Sequence, residues 1–331
     1  MPASLKLSGD DLIVVTGGAG FIGSNIALHL AEAGERVVVC DRFRSGEKWR
    51  NVAAAWLYDI IRPNDLPAWL ARHRDKVNAI VHMAAISSTM EKDVDKFVES
   101  NIRLTLDLWD WCAAHAVRLI YASSAATYGD GKAGFSDDQR RAALATLRPL
   151  NAYGWSKHVV DRRVVDDVAS GRATPRHWAG LKFFNVYGPN ETHKGAMQSL
   201  VSKIFPAVKA SEAVALFKSH DPRYPDGGQL RDFIYVKDCV AVVSWLLRHP
   251  ETSGLFNVGT GTPRSFLDLV RAVGAVVGCA PNIQFIDTPD DLRAQYQYFT
   301  CADVTKLRRA GFHRPFYSLE DGVRDYLEQL S

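Results

Sequence analysis

The chain has 331 residues, of which 47% are hydrophobic and 23% charged, with a formal net charge of +3. That suffices for one large or two ordinary domains; it excludes a fibrous or disordered chain and argues against nucleic acid or a membrane surface as partner. Cys40, Cys112, Cys239, Cys279 and Cys301 form no CxxC pair or metal-like cluster, so no metal is expected, and an odd, scattered set fits reduced thiols in the cytoplasm.

In chain order, "DLIVVTGG" reads as a short buried strand and "FIGSNIALHLAEAG" as a helix stopping at Gly34. "RVVVCD" is a second strand, "NAIVHMAA" a third and "VRLIYASS" a fourth, with "DKFVESNIRLTLDLWDWCAAHA" a long amphipathic helix between the last two. "WAGLKFFNVYGP" reads as a fifth strand. Strands apolar throughout and alternating with helices predict an α/β fold, a Rossmann-type doubly wound parallel sheet. The dinucleotide-binding domain is expected over residues 1–185, with the chain returning to it at about 233–257. Residues 186–331 are expected to form mainly a smaller mixed α/β substrate domain. No apolar run approaches the roughly 20 residues of a membrane span, and the N-terminus carries no signal-peptide pattern.

Gly17, Gly20 and Gly23 form a GxxGxxG that follows a strand and opens a helix. Glycine permits positive φ and close backbone approach to a pyrophosphate, and a helix N-terminus offers free N–H groups and the positive dipole end. The alternative is a tight turn without a ligand. Asp41 ends the second strand, where an acidic residue can bind the adenosine ribose; Arg42, Arg44 and Lys48 follow. An acid alone favours NAD, cations able to pair a 2′-phosphate favour NADP, and the basic group could equally be a solvated loop. NADP is expected, with NAD open.

Ser124 stands at the C-terminal end of the fourth strand, where doubly wound sheets bind ligands. Tyr153 and Lys157 lie one helical turn apart in "LNAYGWSKHVVD". A phenol has an ordinary pKa of about 10, too high for a base at neutral pH. An ammonium one turn away, with a positive nicotinamide ring, is expected to lower it, while Ser124 holds the substrate oxygen or shares the proton.

GxxGxxG, a Ser-Ser strand end and YxxxK together resemble the extended short-chain dehydrogenase/reductase superfamily, over essentially the whole chain. More narrowly, "VTGGAGFIGSNI", "ASSAATYG", "FFNVYGPNETHKGAM", "RDFIYV" and "YQYFTCADVTKLRRAGF" resemble the ADP-L-glycero-D-manno-heptose 6-epimerase family. The resemblance implies an NADP-dependent isomerase of lipopolysaccharide core synthesis. It oxidises C6 of the ADP-heptose substrate to a ketone and returns the hydride to the other face. It implies Tyr153 as first acid/base and Lys194 of "HKG" as second, with no net redox change, and homo-oligomers, typically pentamers. Without the resemblance, Lys194 could be a loop lysine or a phosphate contact.

Carried over by position, Phe21, Ile22, Asp41, Arg42, Lys48, the Met83-Ala84-Ala85-Ile86-Ser87 loop, Asn101, Lys157 and Val186 are implied to contact or flank the cofactor. Asn185, Ala196, Lys203, Phe217, Lys218, Ser219, His220, Arg231 and Tyr296 are implied at the substrate. A guanidinium fork at Arg231 suits a diphosphate, though a structural pair with Asp232 is an equal alternative. The chain departs from the family at Ala196 (often Ser), Lys203 (a histidine), Pro63 (a lysine) and in the longer "FKSHDPRYPDGGQLRDF". A UDP-hexose 4-epimerase would share Tyr153 and Lys157; a 4,6-dehydratase would carry an acidic pair where Ala125, Ala126 and Thr127 stand. A non-catalytic dinucleotide-binding protein is the remaining alternative, which commonly lacks YxxxK.

Overall fold

Along Leu12–Thr16 (β1), Leu12 and Val14 pack into one apolar cluster and Ile13 and Val15 into another, so both faces of the strand are buried. That two-sided burial explains strands that are apolar throughout rather than alternating. The computed structural model describes residues 11–330 except 45, 90, 290–292, 294 and 295; the N-terminal segment read as lacking a leader lies outside the described residues.

Seven parallel strands form the main sheet: β1, Arg36–Cys40 (β2), Asp59–Ile61 (β3), Val77–His82 (β4), Arg118–Ser124 (β5), Trp178–Phe183 (β6) and Gly254–Val258 (β11), in spatial order β11-β6-β5-β4-β1-β2-β3. Helices cover both faces. Phe21–Glu32 (α1) and Val236–Arg248 (α8) bury Ile26, Val242 and Leu246 on one side. On the other, Leu66–His73 (α2), Leu104–Ala114 (α4) and Ala152–Ala169 (α6) bury Trp69, Trp109, Val160 and Val164, and the short Arg141–Thr146 (α5) adds Leu144. The chain re-enters this sheet late, through α8 against α1 and β11 beside β6.

Three details differ from the sequence reading. β3, only three residues long, is an edge strand too short to show a period. The long helix runs from Val94–Phe97 (α3) to α4 through a π-helical turn at Val98–Arg103, which sets Asn101 inward. "WAGLKFFNVYGP" divides: β6 stays in the main sheet, whereas Asn185–Tyr187 (β7) leaves it to pair with Phe233–Tyr235 (β10).

A smaller layer completes the molecule. Ala213–Phe217 (β8) pairs in parallel with Asn282–Ile286 (β13), and Leu230–Arg231 (β9) antiparallel with Arg264–Ser265 (β12). Leu200–Lys209 (α7), Phe266–Val277 (α9) and the helix Leu319–Glu328 pack Val201, Ile204, Leu269, Val273, Val323 and Leu327 into a third cluster. None of the helices in the described residues is long and apolar enough to cross a membrane.

Candidate active site

The C-terminal ends of β1, β2, β4 and β5 open into a cleft of about 1190 Å³, lined from the sheet by Thr16, Cys40, Met83 and Ser124 and from the far side by Lys194, Leu200, Phe266 and Leu269. This is where a doubly wound sheet binds its ligand.

The glycine turn forms one end. Gly17 has φ +66°, and a Cβ there would lie 2.6 Å from the Ala84 nitrogen. A Cβ on Gly23 would lie 2.1 Å from the Gly17 oxygen, so α1 and the turn touch backbone to backbone. Gly20 begins α1 without a side-chain cap, leaving the first N–H groups, at Phe21, Ile22 and Gly23, on the cleft wall. An uncapped helix start behind a turn with no room for side chains fits a dinucleotide pyrophosphate.

Asp41 and Arg42 also line the cleft, but the oxygens of the buried Asp41 are engaged. They accept from the Ala19 N–H at 2.9 Å, the Arg42 N–H at 2.6 Å and Lys48 Nζ at 2.5 Å. Asp41 thus fastens the glycine turn and holds Lys48 in place, rather than standing free for a ribose. Arg44 and Pro63 lie on the same rim. The loop from Met83 to Ser87 forms the opposite wall. Asn101 is displaced from its expected place: it is fully buried behind that wall, accepting from the Ile86 N–H at 2.8 Å and donating to the Ile86 oxygen at 2.9 Å and Ser156 Oγ at 3.0 Å. It shapes the loop from behind.

Ser124, Tyr153 and Lys157 all stand on the cleft wall. Asn151 caps α6 by accepting the Gly154 N–H at 2.8 Å, which sets Tyr153 in its first turn. The Tyr153 ring keeps some surface toward the cleft although it lies deep, and it is hydrogen-bonded to Ser124. Burial raises its phenol above the usual 10, and the Ser124 bond draws it part-way back. The sequence expectation was of a phenol lowered by Lys157 and a positive nicotinamide ring together; among this chain's own groups, burial prevails over the Ser124 bond. Lys157 itself is brought down to about 8 by burial, against a raising influence from Asp161. Below, burial and Lys157 push His82 down to about 3, so it is a neutral imidazole between Thr16 Oγ1 at 2.6 Å and Thr105 Oγ1 at 2.9 Å.

Lys194 enters from the far side on Thr192–Met197, its Nζ 5.0 Å from the Phe21 ring centroid. Burial lowers its pKa, Glu191 raises it and Lys203 lowers it. The fully buried Glu191 anchors this segment, accepting from the Ser199 N–H at 2.5 Å and Ser199 Oγ at 2.6 Å. Asn185 and Val186 reach the cleft; Ala196 and Lys203 are exposed and outside its lining.

Arg231, Phe217 and Tyr296 gather beside the cleft, not in its lining. The Arg231 guanidinium is 5.3 Å from the Tyr296 ring centroid and 5.6 Å from that of Phe266, and Phe217 meets Tyr296 edge-to-face at 6.3 Å. Asp232 is not its partner: that carboxylate accepts from Thr260, Gly261 and Ala302. Among the described residues Arg231 pairs with no carboxylate, and Nη1 donates to the Leu230 oxygen at 3.0 Å. Burial lowers its pKa, the signature of a cation held without a counter-charge. Lys218 pairs instead with Asp287 at 3.2 Å, Ser219 donates its N–H to Asp226 at 2.7 Å, and the exposed His220 donates its N–H to Tyr298 at 3.0 Å. Sequence reasoning missed His193, Phe266 and Leu269 in the lining. His193 accompanies the "HKG" motif, but nothing in sequence marks two apolar residues of α9 as a cleft wall.

A glycine turn and a Ser–Tyr–Lys group in one cleft over a parallel sheet define a nicotinamide-dinucleotide-dependent enzyme of the short-chain dehydrogenase/reductase type. The chain belongs to the NAD dependent epimerase/dehydratase family, whose model matches residues 13–259. Within it, the chain is 46% identical over 327 residues to the ADP-L-glycero-D-manno-heptose-6-epimerase of Nitratidesulfovibrio vulgaris (strain DP4), covering 96% of this chain and 97% of that one. The crystal structure of the Helicobacter pylori ADP-L-glycero-D-manno-heptose-6-epimerase superposes with a TM-score of 0.80 at 29% identity, covering 97% of this chain and 96% of that one. The UDP-glucose 4-epimerase of Thermus thermophilus in complex with NAD gives a TM-score of 0.75 at 26% identity, over 96% of this chain and 98% of that one.

Proposed function

We propose that the protein interconverts ADP-D-glycero-D-manno-heptose and ADP-L-glycero-D-manno-heptose by epimerisation at C6, through a 6-keto sugar, with tightly bound NADP. The observation that carries this reading is one cleft lined by acid/base groups from two separate elements: Tyr153 on α6, bonded to Ser124 beside Lys157, and Lys194 on the Thr192–Met197 segment. A bound nicotinamide dinucleotide supplies the hydride acceptor and donor. Ser124 holds the C6 oxygen and Tyr153 takes its proton, the phenolate being favoured by the Lys157 ammonium and by any positive charge added beside the ring. Lys194 serves the oxygen when it lies on the other face, since one group cannot reach both epimers equally. Burial lowers its pKa, which eases release of its proton.

Arg231 supports a nucleoside diphosphate sugar: a desolvated guanidinium flanked by two rings gains most from a ligand that brings its own negative charge. NADP is favoured over NAD because Asp41 is spent on the glycine turn and Lys48, leaving Arg42 and Arg44 on the rim for a 2′-phosphate. The same reading makes the protein a cytoplasmic homo-oligomer supplying a lipopolysaccharide core precursor.

The test is incubation with ADP-D-glycero-D-manno-heptose without added cofactor, following the C6 proton by NMR. Conversion to the L,D form supports the reading. No conversion, with turnover of UDP-glucose instead, transfers the assignment to a 4-epimerase. Mass spectrometry of the dinucleotide released on denaturation decides between NADP and NAD.

A further inference from the structure

Beneath the Ser124–Tyr153–Lys157 group lies a second, fully buried charge cluster for which the proposed reaction has no direct use. Asp161 follows Lys157 by one turn of α6, so the two side chains share a helix face. Neither Asp161 nor Lys182, on β6, has more than 1% of its side chain exposed, and they form an ion pair at 2.7 Å. Asp161 also accepts from Tyr121 at 3.0 Å and Ser123 at 2.7 Å, both on β5, and Lys182 donates to Thr127 at 2.8 Å. The carboxylate is therefore clamped to two strands of the sheet.

We propose that Asp161, paired with Lys182, is a positioning residue that keeps Lys157 an ammonium at neutral pH; this rests on the reading of Lys157 given above. An ammonium that has lost its water needs a negative charge nearby to keep its proton. The lowering by burial and the opposing influence of Asp161 on Lys157 agree with that geometry. Lys182 satisfies the carboxylate from β6 through their ion pair. It also tempers the field that Asp161 exerts on Lys157.

Other groups around Lys157 do not substitute for it. His82 on β4 and His158 on α6 are lowered to about 3 and about 4, and so are neutral at pH 7. Burial keeps Tyr121 and Tyr128 protonated, and Tyr153 is raised as well. Of the remaining charges on elements packed against α6, Arg118 is buried at the first residue of β5, at the opposite end of that strand from Ser124, where it donates to the Leu247 oxygen; Asp95 and Lys96 on α3, Glu99 and Arg103 on the π-helical turn, and Arg141 on α5, paired with Asp166, are exposed.

The measurement is NMR titration of the protein as purified, with any dinucleotide it retains, carrying lysine isotopically labelled at Cε, with the Lys157 resonance assigned by Lys157→Met. Asp161→Asn should lower the Lys157 midpoint by about one pH unit, and Lys182→Met should raise it, because Asp161 then acts untempered. The alkaline limb of kcat should move the same way in each variant. Either single change leaves a buried charge unpaired and can prevent folding. The double variant Asp161→Asn/Lys182→Met leaves none, and should still lower the midpoint, since the nearer charge dominates. A midpoint that stays at the wild-type pH in the folded variants, or that rises in the double variant, overturns the proposal even where stability and turnover fall. Because the titration needs no turnover, its failure is distinct from failure of the epimerase reading.

Discussion

Gly23→Ala sets two effects of opposite sign against each other. Gly23 is inside the first turn of α1, where alanine would ordinarily stabilise a helix by up to about 1 kcal/mol. The new Cβ would, however, stand 2.1 Å from the Gly17 oxygen and 2.8 Å from the Gly17 carbon. Ordinary contact for such atoms is roughly 3.5 Å, so the helix must retreat by more than about 1 Å. The turn cannot yield instead, because the Gly17 carbonyl accepts the Gly20 N–H at 2.9 Å and Gly17 is itself packed on Ala84. Overpacking of this kind costs about 1–3 kcal/mol, which exceeds the helical gain. The expected result is a Tm lower by several degrees and dinucleotide affinity at least tenfold lower, read as loss of dinucleotide from the chain, since about 1.4 kcal/mol of lost phosphate contact is a factor of ten in the dissociation constant. Gly34→Ala is the control: φ is +85° but nothing lies within 4 Å of its Cβ, so strain of about 1 kcal/mol should leave dinucleotide content intact. The assay is heat release of dinucleotide, quantified by absorbance against protein, beside a thermal melt. A Gly23→Ala protein with wild-type Tm and full dinucleotide content would refute the close-contact argument.

Tyr153→Phe removes the proton-transfer group and one hydrogen bond while leaving the glycine turn untouched; kcat should fall by roughly 10²–10⁴-fold with dinucleotide retained, checked by steady-state kinetics and dinucleotide release. Lys194→Met, on a segment anchored separately by Glu191, should fold normally and slow conversion of both epimers; raised KM with intact kcat would make it a binding residue. Arg231→Met should raise KM for the ADP-sugar by tenfold or more with a smaller change in kcat, and an unchanged KM would remove the diphosphate assignment. His82, lowered from 6.5 to about 3, takes up a proton in the unfolded chain before the folded one. Its contribution to stability is thus complete above pH 6.5 and is lost as pH falls toward 3, at up to about 1.4 kcal/mol per pH unit; denaturant unfolding across that range should show a slope that His82→Gln flattens.

The strands of the main sheet were legible because burial on both faces leaves continuous β-branched runs, as in "LIVV" and "RVVV". β3 was not, because three residues at a sheet edge carry no period. The division of "WAGLKFFNVYGP" was hidden for a different reason: Val186 and Tyr187 remain apolar while changing partner from the main sheet to β10, and composition does not record the partner. In the site, spacing and strand context singled out the glycine turn, Ser124, Tyr153 and Lys157, whereas Lys194 was singled out by the family resemblance alone. The walls supplied by α9 and the interior position of Asn101 follow from tertiary packing alone.

The phenol of Tyr153 marks where that legibility ends. From spacing, an ammonium four residues on lowers its pKa; in the fold, both groups have lost their water, so burial raises the phenol and lowers the lysine at once. Their ordinary values of 10.0 and 10.5 would let the phenol give up its proton slightly before the ammonium does. Burial moves the two in opposite directions, so left to themselves the ammonium loses its proton first and the phenol stays neutral. Forming phenolate beside ammonium therefore needs charge from outside the pair. A positively charged ring entering the cleft would favour the phenolate, though it would also disfavour the ammonium; the buried Asp161 sustains the ammonium from below. The catalytic state depends on charges above and below the pair, which is why a two-residue motif could locate the site without setting its protonation.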